Sequence, residues 1–441
     1  MTLLNEKANQ NDRISDLPCN VIDEILVNLK IRYQVRTSIL SKKWRYMWTS
    51  LPHLCFDNDF FERLMHCDDP YPLVYKIIMH VLMLHNGPIH KFSIARWREY
   101  EFPISIEKLI MWIPFMSNNI KHLELLTYCA REDENQMPDI LFSCKELTYF
   151  KLSSFNLYIP HNFYGFKKLL ELHLDCIEIE SSALESFMSA CPFLEKLYLD
   201  CCSGCDNLVI SSPSLKVLVL ELVDTESVCL KKAINLIDFT LTACMSRVSI
   251  KSLPKIKRFS LDGWEQHEDI VPATLLTSSF SSLEYLKLGG LELNERGELL
   301  HIVSILKSAP SLVKLNIQIL SEVNTTQMME HSKELECCSC CPKLQTVIIS
   351  VGAYPRQHTL SLIKFILTNS PSLKSLTFYF RSYFKLDARR AREFLKFSQD
   401  LLHMERASPG AQVNFLHSTY RQKLLNIGDD RILPSIMPRI Q

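Results

Sequence analysis

The stretch PFLEKLYLDCC, Pro192 to Cys202, decides how the middle of this chain folds. Leu194, Leu197 and Leu199 follow the pattern L-x-x-L-x-L. The last two are two residues apart, so on an extended chain they point to one face, while Lys196 and Tyr198 point to the other. Leu194 anchors the turn leading in, and Pro192 stops any helix before it. The pattern recurs, with aromatic or β-branched replacements, from Ile89, Ile120, Leu147, Leu169, Leu215, Leu236, Ile256, Leu283, Leu312, Leu344 and Leu373. PSLKVLVLELV (Pro213–Val223), SSLEYLKLGG (Ser281–Gly290) and PSLKSLTFYF (Pro371–Phe380) are clear copies. Pro310 and Pro342 repeat the stop.

Steps between anchors run from 20 to 32 residues. One such unit cannot bury its apolar face alone, so each must lay its strand beside the last and share a core with its neighbours. Pattern and length are those of leucine-rich repeats. They predict a parallel sheet lining the inside of a curved solenoid. Amphipathic helices over Leu73–His85, Ser105–Asn118, Glu180–Ala190 and Glu295–Ala309 would cover the outer side. The short steps between Leu194 and Ile256 leave no room for helices and predict tight turns. A doubly wound α/β domain competes with this reading, but it would want glycine-rich turns after its strands, and the chain has 10 glycines.

The N-terminal part has a different period. In DRISDLPCNVIDEILVNLKIRYQVRTSILSKKWRYMWTSLP, Asp12 to Pro52, proline at Leu17-Pro18 suits a first helical turn. Val21, Ile22, Ile25, Leu26 and Leu29 recur at helical spacing. Val35, Ile39 and Leu40 continue on a second segment, and Ser41-Lys42-Lys43-Trp44-Arg45 opens a third. A strand is expected at His53–Asp57. Three short helices in about forty residues bury too little surface to stand alone.

This stretch resembles a plant F-box, the helical module that docks a protein onto the Skp-family adaptor of a cullin-type ubiquitin ligase. The resemblance implies that Leu17, Pro18, Ile22, Ile25, Val35, Leu40, Ser41 and Trp44 lie at or near the adaptor interface. Two positions depart from the pattern: Leu29-Lys30 replaces Leu-Pro, and Tyr33 replaces an acidic N-cap. The expected result is a looser start to the second helix, by about 1 kcal/mol, and weaker adaptor binding. After Glu336 the order changes to a strand (CPKLQTVIISVG), a helix (HTLSLIKFILTNS), a strand, a longer helix over Ala388–Arg406 and ASPGAQVNFLH. This order, ending in RASPGAQVNFL, resembles the FBD region of plant F-box/LRR/FBD proteins. The expected fold class is therefore α/β: a three-helix F-box, a curved leucine-rich-repeat solenoid and an FBD-like C-terminal cap. The boundaries are a flexible 1–10, an F-box at 11–52, repeats at 53–335, the FBD-like unit at 336–415 and a tail at 416–441.

Composition narrows the function. With 49 basic and 49 acidic residues the formal net charge is zero, which points to neither nucleic acid nor membrane as partner. The polar N-terminus carries no apolar signal core, and the most apolar early run, Leu73 to Leu84, is too short to span a bilayer. These features lead us to expect a soluble protein of the nucleus or cytoplasm. The 16 cysteines then read as reduced thiols. Cys201, Cys202 and Cys205 form one cluster, and Cys337, Cys338, Cys340 and Cys341 another. The repeat reading separates the clusters by about 30 Å, at ~4.8 Å per strand, so they cannot share an ion. Both read as repeat cysteines, Cys202 and Cys244 at the offset where cysteine replaces asparagine after such strands. No metal or cofactor is expected. No H-E-x-x-H, G-x-S-x-G, phosphate loop or G-x-G-x-x-G is present, so the chain reads as a non-catalytic subunit.

The resemblance implies a substrate-recruiting role: the F-box binds the adaptor and, through it, cullin and RING subunits, while the repeats bind a protein target for degradation. A small-molecule receptor of the hormone type, or a repeat scaffold with a degenerate F-box, are the alternatives. Residues flanking the second leucine of each repeat give the target-facing surface. Tyr149, Lys151, Lys196, Tyr198, Arg258, Tyr285, Lys287 and Lys314 stand out there, and predict a mildly basic, aromatic face suited to an acidic or phosphorylated partner.

Overall fold

Each of these anchors is followed, two residues on, by a parallel strand. The structure, a computed structural model, describes residues 14–64, 69–94, 106–126, 136–160, 163–230, 232–242, 247–250, 253–262, 280–293, 296–321, 340–352, 357–381 and 388–418. Asp12, Cys244, Cys337, Cys338 and the tail beyond Tyr420 lie outside them. The chain forms two compact units, Met1–Cys205 and Asp206–Gln441.

The first unit holds β1 (His53–Phe56), β2 (Lys91–Ile94), β3 (His122–Leu126), β4 (Tyr149–Ser153), β5 (Glu171–Asp175) and β6 (Lys196–Asp200). Each pairs in parallel, in register, with the next. One feature of the entry turns fixes that register. A single carbonyl of the preceding repeat accepts two consecutive N–H groups. Leu170 O takes Glu195 N (2.9 Å) and Lys196 N (3.0 Å), and Thr148 O takes Leu170 N (2.9 Å) and Glu171 N (3.1 Å). Leu172, Leu174, Leu197 and Leu199 then lie on one face and are fully buried. The helix Ser181–Ala190 covers that face: its Phe187 packs on Phe166 (5.9 Å), which packs on Phe150 of β4 (5.9 Å). Trp112, from the helix Ile106–Trp112, packs similarly on Phe92 of β2 (6.4 Å).

The F-box segment folds into the helices Cys19–Val27 and Ile31–Arg36, followed by 3-10 turns at Thr37–Ile39 and Trp44–Ser50. Its joints are made by side chains. Gln34 Nε2 donates to the carbonyls of Leu26 and Leu29 (both 2.9 Å), closing the end of the first helix with a residue of the second. Lys43 Nζ donates to the carbonyls of Ser15 (2.8 Å) and Leu17 (2.6 Å), and Ser15 Oγ donates to Ser41 Oγ (2.8 Å). The second helix starts at Ile31 with Lys30 as N-cap, so Tyr33 lies inside the first turn and is not the cap. Lys30 is tied instead to Asp57 (3.3 Å) and Asp59 (3.6 Å), just after β1.

The second unit carries β8 (Val217–Glu221), β10 (Asp238–Thr242), β12 (Arg258–Asp262), β13 (Tyr285–Glu292), β14 (Lys314–Ser321), β15 (Thr346–Val351), β16 (Ser375–Arg381) and β17 (Gln412–Ser418), again parallel and sequential. The pairing of β14 with β15 carries the ladder across the expected repeat/FBD boundary. The FBD-like segment therefore extends the same sheet. The helix Ala388–Leu402 covers its apolar face, with Phe397 against Phe378 (5.5 Å). The short steps are not turns alone. Between the main strands lie β7 (Asn207–Ile210), β9 (Ser227–Leu230) and β11 (Arg247–Ile250), which form a parallel sheet of their own. Their alternation, as in NLVI and SVCL, buries Leu208, Ile210, Val228 and Leu230.

Leu197→Asp places an unpaired carboxylate in the buried column and should cost several kcal/mol, on the order of the penalty for an unsatisfied buried polar group or more. Lys196→Ala, its half-exposed neighbour, should cost under about 1 kcal/mol. Urea unfolding of the two variants checks the register, since equal losses would contradict it.

Candidate functional site

Two surfaces stand out. The first is on the F-box. The helical stripe of Cys19–Val27 divides into two faces: Ile22 and Leu26 are 0% exposed, while Val21 (37%) and Ile25 (40%), one turn apart, face outward. Val35 (36%), Ile39 (82%) and Leu40 (51%) are also exposed, and Pro18 lies on the surface. Leu17 and Ser41 are half-buried. Ile22 and Trp44 (1%) belong to the F-box interior and are not on its outer surface. Helical spacing alone cannot say which residues of a broad apolar stripe turn inward. These exposed apolar residues all fall between Pro18 and Leu40, and the chain itself leaves them uncovered, as a docking surface requires.

The second surface is the sheet face opposite the helices. In the first unit, parallel register sets His122, Tyr149, Glu171 and Lys196 in one column and Glu124, Lys151, His173 and Tyr198 in the next. The same quartet of His-Tyr and Glu-Lys thus occurs twice, with the columns exchanged between β3–β4 and β5–β6. His122 stacks on Tyr149 at 3.9 Å and 0°, and His173 on Tyr198 at 4.0 Å and 4°. Tyr149 joins the two stacks through His173 at 5.2 Å. The result is a ladder of four rings across four strands.

Carboxylates hold the imidazoles. His122 Nε2 donates to Glu124 Oε1 (2.7 Å), and His173 Nε2 to Glu171 Oε1 (2.7 Å). Glu124 also accepts from Ser93 Oγ. The His122 hydrogen bond, helped by Ser93, outweighs burial and lowers the Glu124 carboxyl to about 2. At Glu171 burial acts upward, but hydrogen bonds from His173 and Lys196 (2.9 Å) hold it below the usual carboxylate range. Burial lowers His173 despite its carboxylate. Burial, then the charges of Glu124 and Glu171, raise the Tyr149 phenol, so it stays protonated.

In the second unit Arg258, Tyr285 and Lys314 occupy one column. Tyr285 is buried between two cations, with Arg258 at 5.3 Å and Lys314 at 5.5 Å from its ring. Arg258 pairs with Asp238 (3.4 Å) and Lys287 with Asp262 (3.1 Å). Gly289 leaves room for that carboxylate, since a Cβ there would lie 2.3 Å from Asp262 Oδ1. The expected mildly basic face thus carries paired charges. Lys196, Arg258 and Lys287 are each neutralised by a carboxylate, a feature that counting charges along the chain could not show. Asp262 sits at the end of its strand and was legible only through register.

Of the cysteines, Cys202 and Cys205 are buried and donate to the carbonyls of Leu174 (3.5 Å) and Ile179 (3.0 Å). Among the described residues no group of three His, Cys, Asp or Glu side chains is arranged to hold a metal, and no helix is long and apolar enough to cross a membrane.

Comparison with known proteins matches both the F-box segment and the repeats. The F-box domain model matches residues 14–56, and the model of the LRR repeats of FBD-associated F-box protein At5g56370 matches residues 112–261. The Arabidopsis thaliana F-box/FBD/LRR-repeat protein At1g13570 is 31% identical over 92% of this chain and 98% of its own length. This chain belongs to the plant F-box/FBD/LRR-repeat family. The FBD-associated F-box protein At3g52670 of the same plant is 26% identical over 93% of this chain and 99% of its own. F-box/FBD/LRR-repeat protein At5g56420 is 30% identical over 48% of this chain and 49% of its own. As an F-box protein of this family, the chain has the general character of a ubiquitin-ligase substrate receptor, and F-box domains bind Skp-family adaptors.

Glu124→Gln tests the ladder. A carboxyl lowered in the folded state adds stability above its unfolded pKa near 4.5, and that stability is lost as pH falls toward about 2. The variant should be less stable than the parent at pH 7, by on the order of 1–3 kcal/mol, and the gap should narrow as pH falls from 5 to 3. A constant gap across that range would contradict the assigned hydrogen bonds.

Proposed function

We propose that this protein is a non-catalytic, substrate-recruiting subunit of a Skp–cullin–F-box ubiquitin ligase, working in the nucleus or cytoplasm. The observation that carries the adaptor contact is the uncovered apolar set Val21, Ile25, Val35, Ile39 and Leu40, together with the exposed Pro18. Cullin and RING subunits would join through the adaptor. No side chain of this chain needs to touch the reacting carbonyl, because holding a target lysine near a charged ubiquitin carrier raises its effective concentration.

The target would bind the exposed sheet face. In the first unit the ring ladder Tyr149–His173–Tyr198, flanked by Lys151 and Lys196, supports this. Arg258, Tyr285, Lys287 and Lys314 are the matching positions of the second unit. Rings stacked in advance lose little rotamer freedom on binding, and tyrosine and arginine dominate interface energetics. Because most cations on this face already have carboxylate partners, target affinity should depend only weakly on salt.

Ile25→Ala or Leu40→Ala should each cost more than about 1 kcal/mol of adaptor affinity, since both are exposed anchors that leave the fold intact. Titration calorimetry with purified adaptor measures this, and full affinity in a Leu17/Ile25/Leu40 triple alanine variant would refute the F-box assignment. For the target, proximity labelling in plant cells with the proteasome blocked should give a set of proteins shared by the intact chain and the triple variant but ubiquitinated only with the former. A Tyr149→Ala/Tyr198→Ala variant should keep the adaptor and lose that set. Retention of the whole set would move the target site elsewhere.

A further inference from the structure

The turns that follow β5 and β6 place two thiols side by side on the surface. Asp175 and Asp200 are register partners at the ends of these strands, and Cys176 and Cys201 come next in each chain. Cys176 N donates to Asp200 O (2.8 Å), so the ladder continues into the turns. Both cysteines adopt the left-handed conformation, with φ of 50° and 51°. Identical backbone at adjacent register positions points both Cα–Cβ bonds the same way. Both residues are exposed. The Cys176 thiol donates to Asp175 Oδ1 (3.2 Å), and the Cys201 thiol is hydrogen-bonded by both Cys176 and Asp200. Neighbouring parallel strands lie ~4.8 Å apart, inside the range of about 4.4–6.8 Å that a disulfide spans between Cα atoms.

No other pair of neighbouring main strands among the described residues ends in two exposed cysteines. Ser154 precedes them in the same turn position after β4, with φ of 62°, so the left-handed turn belongs to the fold while the thiol pair belongs to this site. The neighbouring Cys202 and Cys205 are buried against backbone carbonyls, and burial pushes Cys202 up to about 12. They are shielded from solution oxidants.

We propose that Cys176 and Cys201 form a surface dithiol that closes reversibly into a disulfide between adjacent repeats, with a low-molecular-weight disulfide such as oxidised glutathione as the oxidant. One thiolate attacks the glutathione S–S bond, forming a mixed disulfide and releasing one glutathione thiolate. The second thiolate attacks the protein sulfur of that mixed disulfide, forming the Cys176–Cys201 bond and releasing the second glutathione. The protein loses two electrons and two protons, and one oxidised glutathione becomes two reduced ones. The Asp175 and Asp200 carboxylates accept hydrogen bonds from the thiols and disfavour thiolates beside them. Burial and Asp200 raise the Cys201 thiol, so closure should speed up with rising pH. The closed bond would clamp the strand ends that follow the His173–Tyr198 stack by three residues, linking redox poise to the ring ladder. The dithiol itself does not depend on the ladder's being a target site.

The test uses the full chain, reduced and then equilibrated at pH 8 in glutathione buffers of increasing oxidised fraction. Samples are trapped with N-ethylmaleimide and mapped by mass spectrometry. The expected product is a linked Cys176–Cys201 peptide that grows with the oxidised fraction and reverts under reduced glutathione, while Cys202 and Cys205 react only after unfolding. Exposed Cys19 serves as an internal reference for simple glutathionylation. Cys201→Ser should convert the linked product into a glutathione adduct on Cys176. Phenylarsine oxide, which bridges paired thiols, should bind the reduced chain at least tenfold more tightly than either serine variant. The proposal is overturned if Cys176 and Cys201 carry separate glutathione adducts, if either links to another cysteine instead, or if both stay reduced where Cys19 is modified.

Discussion

A shared carbonyl at the entry to most of the main strands is the constraint on which the rest depends. Pro52 O, His90 O, Lys121 O, Thr148 O and Leu170 O each accept two consecutive N–H groups from the next repeat in the first unit. Lys216 O, Ile237 O, Lys257 O, Glu284 O, Val313 O and Gln345 O do so in the second. Parallel strands hold each other less firmly per residue than antiparallel ones, and a slip by one residue would turn every leucine to solvent. The doubled bond pins the strand start, and the anchor leucine packs just before it. Once the start is pinned, equivalent residues must stack in columns. The apolar columns close a core that no single repeat could close. The polar columns become a surface whose chemistry is set by neighbours on different strands.

The same bond joins the F-box to the sheet. His90 N (2.8 Å) and Lys91 N (3.0 Å) meet on Pro52 O, Asn86 N donates to Thr49 O (2.9 Å), and His85 Nε2 lies 2.8 Å from Leu51 O. Lys30 adds ion pairs to Asp57 and Asp59. The F-box helices therefore continue into β1 without a flexible linker. For the positioning role proposed above, this matters more than any single contact. A rigid joint converts affinity for a target into a defined approach direction, and orientation is where proximity gains its rate.

The repeat ladder was legible because its signal is local: two leucines two apart, preceded by a third. All anchors from Ile89 to Leu373 lead into strands for that reason. The short strands β7, β9 and β11 were missed because four residues of alternation resemble a turn with an apolar residue in it. The division of the F-box stripe into buried Ile22 and exposed Ile25 was not legible either, since both belong to any broad helical stripe. Tyr33 was misplaced by one turn because the cap at Lys30 has no capping side chain to announce it. At the sheet face the sequence named the residues but not their partners. HLE at 122–124 and ELH at 171–173 are mirror images in sequence, but only the register with β4 and β6 turns them into one ladder of rings.

That register also bears on the recognition proposed for this face. An acidic group approaching Lys196 must compete with Glu171, which already holds it at 2.9 Å and is itself fixed by His173. Exchange of one carboxylate for another brings little net Coulomb energy, because the loss of the old pair offsets the new one and the displaced Glu171 must find other partners. The same holds at Arg258 with Asp238 and at Lys287 with Asp262. The rings carry no such offset. Tyr149 and Tyr198 are half-buried, already stacked, and present edges and hydroxyls in fixed positions. A partner that lays apolar or aromatic side chains against those edges keeps every existing ion pair and adds contact area. For a target bound at this face, as proposed above, the internal salt bridges would discount charge and leave shape and aromatic contact to discriminate.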